Sequence, residues 1–447
     1  MTFKQLRNRL GVVIENKRVQ GHQVAGMKEK LQGMADSYDA MWAFAKELAA
    51  LPKRADWPFV EPNDWYSVYA ELDSGRARDF IGKVDLGEAA KRAEAAFYGC
   101  VAGCILGKPL EIHAQMDEIR PAFEKIGEWP MRDYVSDRVW TEGKLPRRHP
   151  DWDETVREKI KWVAPDDDLN YTVLGMMMLE KYGLKFGRAE FLEMWGRNVP
   201  AFYSFGPERA LVVKSALDSL CEPERDFDLW VDVLNPYDEM CGAQIRVDAY
   251  GYACPGRPGL AAELAWRDSS WTHRRTGVYS AMWMAAAIAA AFVEKDPIKV
   301  CEIALQYVPQ RSRFCLLMKD ALTEVAGAGD WMQGYQRLHR KFKQYGHCQI
   351  YFETGTLMNT LRFATDVGDG ICKQVMTAND TDSYGARAGS LLGAFFGAGH
   401  LEERWIKPFN DRLHTTLANF HEQSLNAVAK RMGQLPALVE RELKGQG

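Results

Sequence analysis

The chain has 447 residues, 47% of them hydrophobic, and a formal net charge of −4. It can bury a large core, and it lacks the basic footprint of a nucleic-acid binder, so its partner is expected to be a small molecule or a protein surface. Nine cysteines, an odd number with no CxxC pair, argue against a disulfide framework and for reduced thiols.

The opening MTFKQLRNRLGVVIENKRVQ lacks the continuous apolar core of a signal peptide. The longest apolar stretches, AAFYGCVAGCILG and AMWMAAAIAAAFV, fall short of the roughly 18 residues of a membrane span and read as buried helices. A soluble cytoplasmic protein is expected. Residues 23–50 form one amphipathic segment ending at Pro52, and WPFVEPNDWYSVYAELDSG, rich in Pro and aromatics, reads as a strap over a surface. This predicts an N-terminal helical extension over residues 1–83 and one large helical domain over 84–447.

The domain opens on DLGEAAKRAEAAFYGCVAGCILGKPLE, where Gly99, Gly103 and Gly107 recur every four residues. Cys100 and Cys104 read as small core residues. After a charged connection at 127–165 comes PDDDLNYT, then Leu169–Tyr182, apolar nearly all round and therefore a buried helix. A second charged connection spans 221–242. The Ala-rich helices around SWTHRR follow, and HCQIYFET, residues 347–354, is the best strand candidate in a chain dominated by helical periodicity. Near the end, Gly385, Gly389, Gly393 and Gly397 repeat the four-residue spacing. A glycine inside a helix costs about 1 kcal/mol relative to Ala, so the two runs need a compensating gain, and a ridge of glycines that lets another backbone approach supplies one.

Carboxylates sit at two helix mouths: Asp166, Asp167 and Asp168 before the buried helix, Asp380 and Asp382 with Ser383 before the second glycine helix. One or two of these are ordinary caps. Three adjacent carboxylates at a partly buried mouth repel by roughly 4 kcal/mol per close pair. Together with Glu111 after the first glycine helix, they supply enough oxygens for two hard cations.

These motifs, GCVAGCILGKPLE, PDDDLNYT, CGAQIRVDAYG and NDTDSYGARAGSLLGA in that order, with the Ala-rich PGLAAELAWRDSSWTHRRTGVYSAMWMAAAIAAAF, resemble the ADP-ribosylglycohydrolase family, which includes the dinitrogenase-reductase-activating glycohydrolases. The resemblance covers residues 87–400. It implies an all-α, large orthogonal helical bundle and a binuclear Mg²⁺ or Mn²⁺ centre that grips the ribose hydroxyls of ADP-ribose. By motif, Asp166, Asp167 and Asp168 would form one ligand set, and Asp380, Asp382 and Ser383 the other. Glu111 matches a glutamate used for catalysis or gating, and Asp167 and Asp168 share the candidacy for general base. Gly242 and Ala243 fall in a loop that contacts ribose and phosphates, Arg246 is expected to fix that loop, and His273 is either a ligand contact or a structural residue. Cys104 stands where many members have an acid, Met240 and Cys241 where Gly-Asn is usual, and Tyr384 and Arg387 add bulk beside the second set.

The implied function is hydrolysis of the glycosidic bond of an ADP-ribosylated protein or related ribosylated substrate, releasing ADP-ribose. The same carboxylates would serve a two-metal nucleotide phosphohydrolase. A catalytically silent member that binds ADP-ribose or a protein is the third reading.

Overall fold

The structure is a computed structural model that describes residues 2–113, 115–221, 226–346 and 348–445, with the backbone alone for 217–221. The chain begins with α1 (Phe3–Val19), whose first turn is closed by a reciprocal cap between Thr2 and Gln5. The segment expected to be one helix over 23–50 is two, Met27–Gln32 and α2 (Tyr38–Ala49). Gly33 ends the first, and the Ser37 hydroxyl, accepting from the Ala40 N–H, starts the second; these local stop and start signals override the amphipathic period. Leu6, Leu10 and Ile14 of α1 meet Met41, Phe44 and Leu48 of α2 in a small core that also takes in Val233. The aromatic strap behind them holds a short helix, Trp65–Ala70, and is tied down by the Trp266 indole donating to the Asn63 carbonyl at 3.0 Å and the Val60 N–H donating to the Arg311 carbonyl at 3.0 Å.

The main body is built on α3 (Leu86–Gly107), α4 (Asp167–Tyr182), α5 (Thr276–Ala291), α6 (Ile350–Phe363), α7 (Thr381–Phe396) and α8 (Leu425–Lys444). Every residue of α5 is buried, as its apolar circumference requires. The strand expected at 347–354 is instead the first turn of α6, His347 lying outside the described residues. Tyr351, Phe352 and Thr354 carry strand propensity, but Ile350 to Leu361 are buried on all sides and tertiary burial decides the conformation. Among the described residues the one sheet pairs β1 (Arg412–His414) with β2 (Glu422–Ser424), antiparallel, ahead of α8. No helix of the described residues is long and apolar enough to cross a membrane.

The glycine ridges of α3 and α7 lock into each other, antiparallel. A Cβ on Gly99 would strike the carbonyl of Gly389, one on Gly103 the carbonyl of Gly385, and one on Gly107 the carbonyl of Thr381. Gly393 continues the seam against the backbone of Ala95 and Ala96. Gly397 lies beyond it: it follows the last turn of α7 with φ +83°, where its role is to reverse the chain. Because the seam is antiparallel, the C-terminal end of α3 lies against the N-terminal end of α7. That register positions the site.

Candidate active site

Beyond Gly107, a single 3₁₀ turn over Lys108–Leu110 delivers Glu111 beside the mouth of α7. The Thr381 hydroxyl donates to the Gly107 carbonyl at 2.7 Å and pins the two ends together. As a result carboxylate oxygens of Glu111, Asp380 and Asp382 lie within 4.8 Å of one another, as do those of Asp166, Asp167 and Asp168 at the mouth of α4. The two mouths touch: the Ser383 hydroxyl donates to Asp168 Oδ2 at 2.9 Å, and the Ser383 N–H donates to Asp382 Oδ1 at 2.8 Å. The residues the sequence placed in two ligand sets 200 residues apart therefore share one site.

Within it the carboxylates are not equivalent. Asp166 is the N-cap of α4, its Oδ1 accepting from the Asp168 N–H at 2.9 Å, while its Oδ2 takes the buried Lys108 ammonium at 2.6 Å. Burial opposes its ionisation, but the charge and hydrogen bond of Lys108 outweigh this and hold its carboxyl below the usual range. Asp167, Asp168 and Asp382 are pushed the other way, well above the usual range, first by burial and then by neighbouring carboxylates. Asp168 Oδ1 is buried with no hydrogen-bond partner.

Glu111, Asp167, Asp380 and Asp382 line a cleft of about 310 Å³ together with Phe205, Tyr237 and Gly242. Gly242 is the second residue of the 3₁₀ turn Cys241–Arg246, where a Cβ would press on the Glu208 carboxylate. Arg246 holds that turn from behind, donating to Glu208 Oε1 at 2.6 Å, to the Thr272 hydroxyl at 2.6 Å and to the Asp268 carboxylate. Ala243 is buried and off the cleft wall. His273 is likewise fully buried and not among the residues that line the cleft, its Nδ1 2.8 Å from the Thr272 hydroxyl and 3.7 Å from Glu208.

The family model for ADP-ribosylglycohydrolase matches residues 86–437. The chain belongs to that family. The match runs past residue 400 into α8, so the ADP-ribosylglycohydrolase region is longer than the motifs alone indicated. A solved structure titled "ADP-ribosylglycohydrolase-related protein complex" is similar at 18% sequence identity, with a TM-score of 0.49, covering 78% of this chain and 99% of that one. Among curated proteins no match was found.

The donor set fits the metal ions on which this family generally depends: all-oxygen ligands, several carboxylates raised by burial and then by one another, and an orphaned oxygen on Asp168. Sequence reasoning missed several members of the site. Lys108 was visible inside GKPLE, but nothing local shows that its partner is 58 residues away. His149, whose Nε2 lies 3.1 Å from Glu111 Oε2, sits in an unremarkable RRHP. Glu208 lines the cleft from a helix without a motif; burial, opposed by Arg246, raises its carboxyl to about 7.

Proposed function

We propose that the chain is a metal-dependent ADP-ribosyl glycohydrolase that cleaves an N- or O-ribosyl bond of an ADP-ribosylated side chain, of the dinitrogenase-reductase-activating type. The observation that carries this reading is the convergence of Glu111, Asp167, Asp380 and Asp382 on a single cleft. Asp167, Asp168, Asp380, Asp382 and Ser383 are assigned as the residues that would hold two Mg²⁺ or Mn²⁺ ions, with Asp166 orienting the set through its cap and Lys108. When bound, such ions orient adjacent ribose hydroxyls and acidify water.

The protein's own groups supply the remainder. Cleavage at the anomeric carbon passes through an oxocarbenium-like transition state and needs a positioned water and a proton acceptor. Glu111 is assigned as that acceptor: it is half-buried on the cleft wall, and His149 at 3.1 Å fixes its orientation. Asp167 is the alternative in the same cleft. Asp168 is less suited, because its Oδ2 already accepts from Ser383. The Gly242 backbone and the rings of Phe205 and Tyr237 are assigned to the nucleotide end of the substrate, the rings by stacking and the turn by its N–H groups. A cytoplasmic location is part of this proposal, supported by the cysteine pattern.

The test is hydrolysis of ADP-ribosylated arginine and serine peptides by purified protein with Mg²⁺, with products identified by chromatography. Free ADP-ribose that disappears on chelation and falls by about 10²–10⁴-fold in Glu111→Gln supports the assignment. Release of a nucleoside monophosphate would instead establish the phosphohydrolase. Metal-dependent binding of ADP-ribose without turnover on any peptide would establish the silent binder.

A further inference from the structure

Two thiols converge on one oxygen of this cleft, and the hydrolase reading has no use for them. Cys241 Sγ lies 3.4 Å from Asp380 Oδ2, and Cys348 Sγ lies 3.7 Å from the same atom. The three ligand atoms lie within 4.8 Å of one another, and all three residues line the cleft. They come from separate elements: Cys241 opens the 3₁₀ turn, Cys348 precedes α6, and Asp380 caps α7. Thiols are weak donors, so the hydrogen bonds alone give little reason for the arrangement.

Coordination chemistry gives a better one. Zn–S bonds of about 2.3 Å and Zn–O bonds of about 2.0–2.2 Å in a tetrahedron place sulfur and oxygen about 3.6 Å apart and two sulfurs about 3.8 Å apart. The observed sulfur–oxygen separations, 3.4 and 3.7 Å, bracket the first value. Three protein ligands with the fourth position on a cleft is the pattern of an open zinc site.

We propose that Cys241, Cys348 and Asp380 form a binding site for a thiophilic divalent cation of the zinc class, open to the cleft and distinguished by its two sulfurs from the oxygen-only sites, with which it shares Asp380. On binding, two S–H bonds break, two metal–thiolate bonds form and two protons leave to solvent; no electrons are transferred. Since Asp380 also belongs to the group with Glu111 and Asp382, the thiophilic ion competes with a hard cation for it. That competition, unlike the site itself, rests on the proposed Mg²⁺ site.

Cobalt is the probe, because its thiolate complexes absorb and its ligand preferences follow those of zinc. Full-length protein kept reduced by a phosphine is titrated with Co²⁺. The expected result is a thiolate-to-cobalt charge-transfer band that saturates at one equivalent, is abolished by Zn²⁺, is lost in both Cys241→Ser and Cys348→Ser, and persists in Cys315→Ser. Cys348 is half-buried, so its serine variant is expected to keep the wild-type unfolding temperature and separates loss of a ligand from loss of the fold. Absence of the band in wild-type protein, or its survival in both serine variants, overturns the site. Excess Mg²⁺ is expected to weaken cobalt affinity at least tenfold. An unchanged affinity overturns the competition, and a Mg²⁺-induced rise in unfolding temperature without any cobalt band overturns the thiol site while leaving the Mg²⁺ reading intact.

Discussion

The mouth of α4 and the mouth of α7 are both acidic, both buried and in contact, yet their charges are answered differently. At α4 the chain supplies its own cation: Lys108 sits 2.6 Å from Asp166, and its ammonium is stabilised well above the usual range despite burial, by Asp166 and Asp382. At α7, burial and the carboxylates of Glu111, Asp166 and Asp380 press Asp382 toward its neutral form. A buried carboxylate paired with a lysine is part of the scaffold, whereas one raised by burial and by its acidic neighbours carries a cost that a divalent ion relieves. The difference teaches where a helix mouth stops being a cap and becomes a ligand set.

The comparison depends on the two mouths being held together, so the largest effect comes from separating them. Gly385→Val drives a side chain into the carbonyl of Gly103, in a seam where both partners are backbone and neither can give way. The expected loss is more than about 4 kcal/mol, read by chemical denaturation. A variant of near wild-type stability would show that the seam is loose and the register not the organiser of the site.

Lys108→Met comes next. It leaves Asp166 buried without its cation, at an expected cost of about 3–5 kcal/mol in metal-free protein. Asp382→Asn should do the opposite: the metal-free protein unfolds at a higher temperature because the cost of burying that carboxyl among other acids is removed. Its stabilisation by Mg²⁺, about 2.7 kcal/mol for wild type at a concentration 100 times the dissociation constant, should largely vanish. Thermal unfolding with Mg²⁺ or with chelator reads both. If the two variants respond alike, the distinction between the mouths fails.

The smallest effect is a control on the α3–α7 seam away from the site. Burial raises the Asp248 carboxyl from 3.8 to about 7, against the Ser390 hydroxyl that donates to it at 2.6 Å. The folded state holds a proton that the unfolded chain releases. This contribution to stability is therefore complete at acid pH, declines as pH rises from about 4 to 7, and is level above. Asp248→Asn should flatten that slope and raise the unfolding temperature at pH 8; an unchanged slope would assign the pH dependence elsewhere.

The architecture of the site was partly legible in residues. The four-residue glycine spacing announced two helices that each let another backbone approach closely, and the acidic clusters announced helix mouths. What the spacing could not show was the antiparallel register that pairs Gly99 with Gly389 and so sets Glu111 against Asp382. HCQIYFET misled for the complementary reason: β-branched and aromatic residues favour a strand locally, but a segment buried on every side among helices satisfies its backbone groups within itself by becoming one. His273 left two roles open because a sequence does not show burial; in the fold it is fully buried beside Glu208.

What the sequence by itself determined is what short-range physics controls: predominantly helical periodicity, the caps and breaks at helix ends, the glycine ridges, and carboxylates gathered at two N-termini. Tertiary structure alone decided which charges meet. Lys108 finds Asp166, His149 finds Glu111, and the thiols of Cys241 and Cys348 find Asp380 only once the chain has closed, because the energy of a buried charge depends on its partners in space, and residues 58, 38, 139 and 32 positions apart carry no local sign of meeting.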